Sequence, residues 1–160
     1  MKPSIYRTLF LGVPLLLICC TRAPIPPAGD PASPLKPCPS SPNCVSTEAA
    51  DPKQRMAPLP YRIDRTTSQA LLLSIIESMP RATVVTNGEH YLHVEFRSAV
   101  FGFVDDVAFV FDDAAEIIRF RSAARSGYWD LGVNRRRMRA IGEAYRNALL
   151  DDGADLVAMV

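Results

Sequence analysis

Five arginines in the last third of the chain are the residues best suited to chemistry. A guanidinium group can bind a phosphate or a carboxylate through two parallel hydrogen bonds, and the first turn of a helix also attracts anions. Three of the five fall in the first turn of a predicted helix, where the helix dipole disfavours cations by about 0.3–1 kcal/mol each. The sequence therefore marks an anion-binding candidate, made of Arg121, Arg125, Arg135, Arg136 and Arg137.

The alternative is that these arginines are neutralised by carboxylates within the fold. Asp105, Asp106 and Asp130 could pair with them in a structural charge network that links loop, sheet and helix. Asp105 and Asp106 also suggest a general acid and base, or a metal pair. Adjacent residues of a strand point to opposite faces, so the two carboxylates should not converge on one site. One of them is expected to pair with Arg97 or Arg119 instead.

Other catalytic and metal-binding combinations are weaker. Ser122 and Ser126 have no nearby base, because His90 and His93 are the only histidines and belong to a separate hairpin. An offset of three would also place the two histidines on opposite faces of one strand. We therefore predict no catalytic residue, no metal and no cofactor, and favour a protein that is not an enzyme.

The loop before the last helix contains the only tryptophan. Tyr128 and Trp129 stand between Gly127 and Gly132, and we expect their rings to seat this loop on the core.

The start of the chain is typical of an export signal. Lys2 and Arg7 are followed by the apolar run Leu9–Ile18 and then by Cys19 and Cys20. About ten apolar residues are too few to span a bilayer, so residues 1–19 are predicted to be a cleaved signal peptide. The pattern resembles that of lipoproteins and predicts acylation of Cys20, because small Cys19 precedes it. Ordinary secretion remains open, since cysteine is unusual at that preceding position.

After the signal peptide, residues 20–37 are predicted to be a proline-rich tether that holds the domain away from the bilayer. Thr21, in place of an aspartate, favours the outer membrane with the domain facing the periplasm. Cleavage would leave 16 basic residues against 17 acidic ones. Such a neutral chain argues against nucleic-acid binding, which needs a basic surface. The expected partner is a membrane, through the lipid anchor.

Cys38 and Cys44 are the two remaining cysteines. An exported protein meets an oxidising compartment, so a disulfide between them is the default expectation. Free or redox-active thiols remain the alternative, although no helix N-terminus adjoins either cysteine to activate it.

The pattern between residues 38 and 150 predicts an α+β domain. Thr66 and Gln69 form a capping box for a first helix that ends before Pro80. Asn87-Gly88 predicts a hairpin, and alternating apolar residues continue it into a four-stranded antiparallel meander. A last helix from about 134 to 150, capped by Asn134, is expected on the same face of the sheet as the first. Residues 151–160 form a tail that could add an edge strand or fray.

Three stretches together resemble the domain of unknown function 1499 family, found in bacterial envelope proteins and plastids. They are residues 35–46, Phe103–Val107 and Arg121–Arg137. Thr47 and Ala124 depart from the family pattern, each standing where a serine is usual. The resemblance implies no known activity. The sequence thus favours a lipid-anchored envelope protein that acts by binding or as a structural module. An anion-binding protein or enzyme that uses the arginines is the alternative, and the protein partner or small anionic ligand is not identified.

Overall fold

A computed structural model describes residues 35–158, with side chains described up to residue 150. The predicted signal peptide, Cys20 and most of the predicted tether lie outside the described residues. Eight elements follow one another along the chain. They are β1 (Cys44–Ser46), β2 (Leu59–Pro60), α1 (Arg65–Ser78), β3 (Ala82–Asn87), β4 (Tyr91–Arg97), β5 (Val104–Asp112), β6 (Ile117–Ala124) and α2 (Val133–Ala158).

The strands form one antiparallel sheet in the order β1-β6-β5-β4-β3, and β2 also pairs with β6. The fold class is α+β, as predicted, but the sheet has six strands where the sequence predicted four. β1 and β2 have three and two residues, too few for an alternating pattern to show. Both extend the sheet beyond β6, so the meander β3 to β6 has short strands added at one edge.

Along the four long strands, successive side chains point to opposite faces of the sheet. Leu92, Val94 and Phe96 of β4 are buried, and register places Phe109 opposite Leu92 and Phe120 opposite Phe109. These residues join a single cluster to which both helices contribute, and we call this side of the sheet the apolar face. The helix residues in the cluster are Leu72, Ile76, Met138, Ile141 and Tyr145.

The two helices begin differently from the predictions. α1 is capped by Asp64, whose carboxylate accepts a hydrogen bond of 2.7 Å from the Thr67 amide. Thr66 is therefore inside the helix, and Gln69 donates to Asn87 and Gly88 at the hairpin. α2 continues to Ala158, so most of the predicted tail is helical. No helix in the described part of the chain is long and apolar enough to cross a membrane.

Candidate functional site

Asp105 and Asp106 separate to opposite faces of β5, as strand geometry requires. Asp105 lies on the apolar face, where its Oδ2 is 2.5 Å from Nη2 of Arg137. Asp106 lies on the other face, where it meets Arg125 and His93. The expected partners Arg97 and Arg119 instead pair with Glu95 and with Glu48 and Asp112. The two carboxylates do not form a common acid–base or metal site.

Asp130 holds the start of α2 and pairs with the backbone. Its carboxylate accepts from the amide of Gly132 at 2.8 Å and from that of Asn134 at 2.8 Å. Acceptors at this position satisfy amides that the helix leaves unpaired. Asn134 is therefore not the N-cap that the sequence predicted. It is fully buried and exchanges hydrogen bonds with Ser122 and Asn43.

The three consecutive arginines of α2 point to three different acceptors. Arg135 donates to the carbonyl of Lys53, and Arg136 donates to that of Leu131 at 2.8 Å. Arg137 alone reaches a carboxylate, Asp105, and its guanidinium also lies 4.6 Å from the centre of the Phe96 ring. Of these three arginines, therefore, only Arg137 pairs with an aspartate, whereas Arg135 and Arg136 donate to backbone carbonyls.

Arg125 is bound by two carboxylates on the face of the sheet opposite the apolar face, which we call the polar face. It donates to Asp106 at 2.6 and 2.9 Å and to Glu95 at 2.7 Å. Burial by itself would raise the pKa of Asp106, but the hydrogen bonds from His93 and Arg125 outweigh it and hold that pKa well below its usual range. The hydrogen bond from Arg125 likewise lowers the pKa of Glu95. Both carboxylates are therefore charged and paired at neutral pH.

His93 completes this polar group. Its Nε2 lies 2.9 Å from Asp106, and because an ionised carboxylate only accepts, Nε2 carries the proton. A histidine–aspartate pair suggests nucleophilic catalysis, but the buried serine nearest in the register, Ser122, lies on the apolar face. Ser122 is thus not placed against His93.

Arg121 lies on the same polar face as His93. His93 is on β4 and Arg121 on β6, and both pair with Ala108 of β5, the strand between them. Arg121 is partly buried, and desolvation lowers its pKa while Asp106 and Tyr91 oppose this shift. Its Nε makes no hydrogen bond within the described part of the chain. Arg121 and Arg125 therefore do not join the arginines of α2.

The five predicted anion-binding residues consequently fall in three places. Arg121 and Arg125 lie on the polar face, Arg137 on the apolar face, and Arg135 and Arg136 at the surface around the start of α2. A shallow cleft of about 310 Å³ lies beside the disulfide, and of the five arginines only Arg135 lines it, together with Lys53. No group of three or more histidine, cysteine or acidic side chains that could hold a metal occurs among the described residues.

Cys38 and Cys44 form a disulfide, with their Cα atoms 5.7 Å apart. The segment it closes is also fixed by Gln54, whose amide donates to the carbonyls of Pro39 and Ser41. Asn43 then contacts the loop before α2: its Nδ2 donates to the carbonyl of Gly127 at 2.5 Å, and its carbonyl accepts from Ala124. Gly127 adopts φ +89°, which suits glycine and turns this carbonyl towards Asn43.

Tyr128 and Trp129 do not seat the loop on the core, contrary to the prediction. They are 73% and 69% exposed. Phe101 and Phe103, in the loop between β4 and β5, are also exposed, and their ring centres are 5.7 Å apart. Sequence patterning did not single out this second pair, because it assigns aromatic residues to the core by default.

The two loops leave the sheet at the same end. β5 begins beside the end of β6, since Asp105 pairs with Ala124 and the Arg125 amide donates to the Val104 carbonyl. Exposed apolar residues of both loops therefore share one end of the domain, which we call the aromatic end. It comprises Val100, Phe101, Phe103, Tyr128, Trp129 and Leu131.

The sequence of this domain matches the model of a known protein family. The model described as "Protein of unknown function (DUF1499)" matches residues 34–145, more than half of the chain. The chain belongs to the DUF1499 family. No curated protein and no solved structure matches it. The DUF1499 match ends inside α2 and includes both loops of the aromatic end, so these loops are part of the family domain.

Proposed function

We propose that this protein is a lipid-anchored module of the cell envelope that acts by binding through its aromatic end and catalyses no reaction. One observation carries the proposal: six large apolar side chains at that end are exposed to solvent. Large exposed apolar patches are rare on soluble monomers and mark sites of contact with proteins or membranes, and Phe101 and Phe103 already adjoin with ring centres 5.7 Å apart. The other large apolar side chains exposed among those the structure describes are Ile63, Val133 and Leu150, and exposed apolar residues of this kind are common on protein surfaces.

The charged residues support binding over chemistry. Arg137 and Arg125 are engaged by Asp105, Asp106 and Glu95, so their charge is already balanced. An anionic ligand would need several free guanidinium groups at one point. The separation of the five candidates gives the alternative function, an anion-binding protein or enzyme, less support.

The proposed function includes the predicted lipid anchor and the predicted location in the cell envelope. Acylated Cys20 would attach the chain to the outer membrane, and the tether would let the domain face the periplasm. Both helices would cover one face of the sheet, as the shared apolar cluster supports. Among the described side chains, the aromatic end then offers a large apolar surface for contact.

Site-specific photo-crosslinking in living cells tests the proposal. p-Benzoylphenylalanine is placed at position 101 or, as the matched control, at exposed position 63, which lies at the other end of the sheet near Glu116. We expect adducts from position 101 and none from position 63. If neither position yields an adduct with protein or lipid, the aromatic end is not a contact surface.

A further inference from the structure

We propose that the aromatic end docks on the bilayer surface itself, inserting its side chains among the lipid headgroups. This inference rests on the proposed function and names the partner of that surface as a lipid bilayer. Three independent features of the described residues point to a lipid surface: the types of side chain, the charges beside them and the place where the tether enters.

The side chains match the chemistry of a membrane interface. Tyr128 and Trp129 each combine an apolar ring with a polar group, and such rings prefer the headgroup level of bilayers. Phe101 and Val100, 77% and 82% exposed, are purely apolar and suit the acyl boundary just beneath it. The loop between β4 and β5 thus supplies the side chains that insert more deeply, and the loop before α2 supplies the rings that lie at the headgroup level.

Two cationic side chains, Arg81 and Arg136, lie beside the loops of the aromatic end. Arg81 precedes β3, which pairs with the end of β4, and donates to the carbonyl of Arg97 at 3.1 Å. Arg136 donates to the carbonyl of Leu131. Both acceptors are backbone carbonyls, which leave the guanidinium charges available to anionic headgroups. Each basic residue near an anionic membrane surface strengthens attachment.

The tether reaches the domain at the same end. Residues 35–43 precede β1, and Asn43 bonds to Gly127 and Ala124 at the base of the loop that carries Trp129. Ser40 and Pro42 line the same cleft as Tyr128. A chain anchored at Cys20 would therefore present the aromatic end, rather than the opposite end with Ile63, to its own membrane. The 16 residues from Cys20 to Leu35 span at most some tens of Å, so the aromatic end can still reach the bilayer.

The protein carries its own probe for docking, because Trp129 is the only tryptophan. The full acylated chain is reconstituted into phosphatidylcholine vesicles with or without phosphatidylglycerol, and with or without brominated acyl chains. Bromine quenches tryptophan only on contact. We expect brominated lipid to remove most of the Trp129 emission, a shift of the remaining emission to shorter wavelength, and stronger quenching in the anionic vesicles.

Two variants make the test specific. Phe101→Ser with Phe103→Ser should abolish quenching, and since both rings are exposed, the melting temperature should not change. Ile63→Ser removes an equally exposed apolar side chain at the other end and should leave quenching intact. If the double variant does not fold, Phe101→Ser alone serves, with a partial loss of quenching expected.

The possible failures are distinguishable. Wild-type Trp129 that is open to acrylamide and unaffected by brominated lipid overturns bilayer docking. If position 101 nevertheless crosslinks to a protein in cells, the aromatic end is a protein-binding surface and only the bilayer inference is lost. If neither crosslinks nor quenching occur, both proposals fail. Equal quenching in the wild type and the double variant would also overturn the inference, because the tether alone would then explain the contact.

Discussion

Arg137 of α2 and Asp105 of β5 form an ion pair, 2.5 Å between Nη2 and Oδ2, that ties the start of the last helix to the sheet. The two side chains are only 10% and 12% exposed. Arg137 also donates to Asn134 at 2.8 Å, so the pair continues into the buried Ser122–Asn134 hydrogen bonds. A cation that the helix dipole disfavours is thus retained because a buried carboxylate faces it.

Replacing Arg137 should therefore destabilise the fold. Arg137→Gln leaves Asp105 buried without its counterion, and breaking such a pair costs about 3–5 kcal/mol. Arg136→Gln is the matched control, because in the described part of the chain exposed Arg136 donates to a backbone carbonyl and to no carboxylate, and its loss should change stability by less than about 0.5 kcal/mol. Urea denaturation measures both. Equal effects of the two substitutions would show that the ion pair between Arg137 and Asp105 does not stabilise the fold.

The alternation of apolar residues predicted the fold where strands are long. Leu92, Val94 and Phe96 show it in β4, and the structure places them on the apolar face. β1 could not be predicted in this way, because Cys44, Val45 and Ser46 are all buried and pair with β6, far along the chain. Helix starts were also missed. The predicted caps were Thr66 and Asn134. Asp64 caps α1 instead, and the Asp130 carboxylate accepts from the Gly132 and Asn134 amides at the start of α2.

The candidate site was harder to predict, because it depends on which side chains a neighbouring strand brings together. Strand geometry did predict that Asp105 and Asp106 diverge. It could not predict that Glu95 would share Arg125 with Asp106, since these residues meet only across three strands. Tyr128 and Trp129 were assigned to the core because aromatic residues are usually buried there, and exposure can be recognised only in the folded chain.

Arg125 should make stability depend on acid pH. Hydrogen bonds from Arg125 help to lower the folded-state pKa values of Asp106 and Glu95. A lowered carboxyl pKa contributes stability that is present above the unfolded value and is lost as pH falls through the folded one. We expect the wild type to lose stability steadily below about pH 5.

The variant Arg125→Gln tests this expectation. At pH 7 it should be less stable by about 1–2 kcal/mol, between the values for exposed and buried pairs, because Arg125 is partly exposed. Its stability should fall less steeply in acid. Arg97→Gln is the control, since among the described residues the Arg97 side chain pairs with Glu95, at 3.2 Å, and not with Asp106. Tyr91, His93 and Arg121 face the same group and stay unchanged in both variants. Parallel pH curves for wild type and Arg125→Gln would contradict the assignment.

The disulfide should stabilise the segment that leads into β1. Replacing Cys38 and Cys44 by serine should lower the free energy of unfolding by about 2–3 kcal/mol, the value for so short a loop. Reductant should have the same effect on the wild type and none on the variant. Labelling of both thiols in folded protein without reductant would show that the bond does not form in the envelope.

Acylation should depend on Cys20 and not on its neighbour. Mass spectrometry of the mature N-terminus should find residues 1–19 removed and acyl chains on Cys20. Cys20→Ser should release the protein from the membrane fraction, whereas Cys19→Ser, which places another small residue before Cys20, should leave it there. An intact leader, or an unmodified N-terminus downstream of Cys20, would refute the anchor.

At Leu131, a single substitution should change stability and docking in opposite directions. Leu131 is 66% exposed yet has φ +55°, a conformation that costs a side chain such as leucine about 1–2 kcal/mol and that asparagine tolerates better. Leu131→Asn should therefore raise the free energy of unfolding by about 1 kcal/mol. It should also weaken quenching of Trp129 by brominated lipid, because an apolar side chain is lost from the docking surface.

Leu131→Ala resolves the two effects. It removes the same apolar side chain but lacks the short polar group by which asparagine tolerates positive φ, so docking should weaken as in Leu131→Asn without the gain in stability. Thermal melting and lipid quenching of both variants give the comparison. If Leu131→Asn is no more stable than Leu131→Ala, the positive φ at position 131 does not lower the stability of the fold. If both variants dock as well as the wild type, the exposed leucine at this strained position is not part of the docking surface.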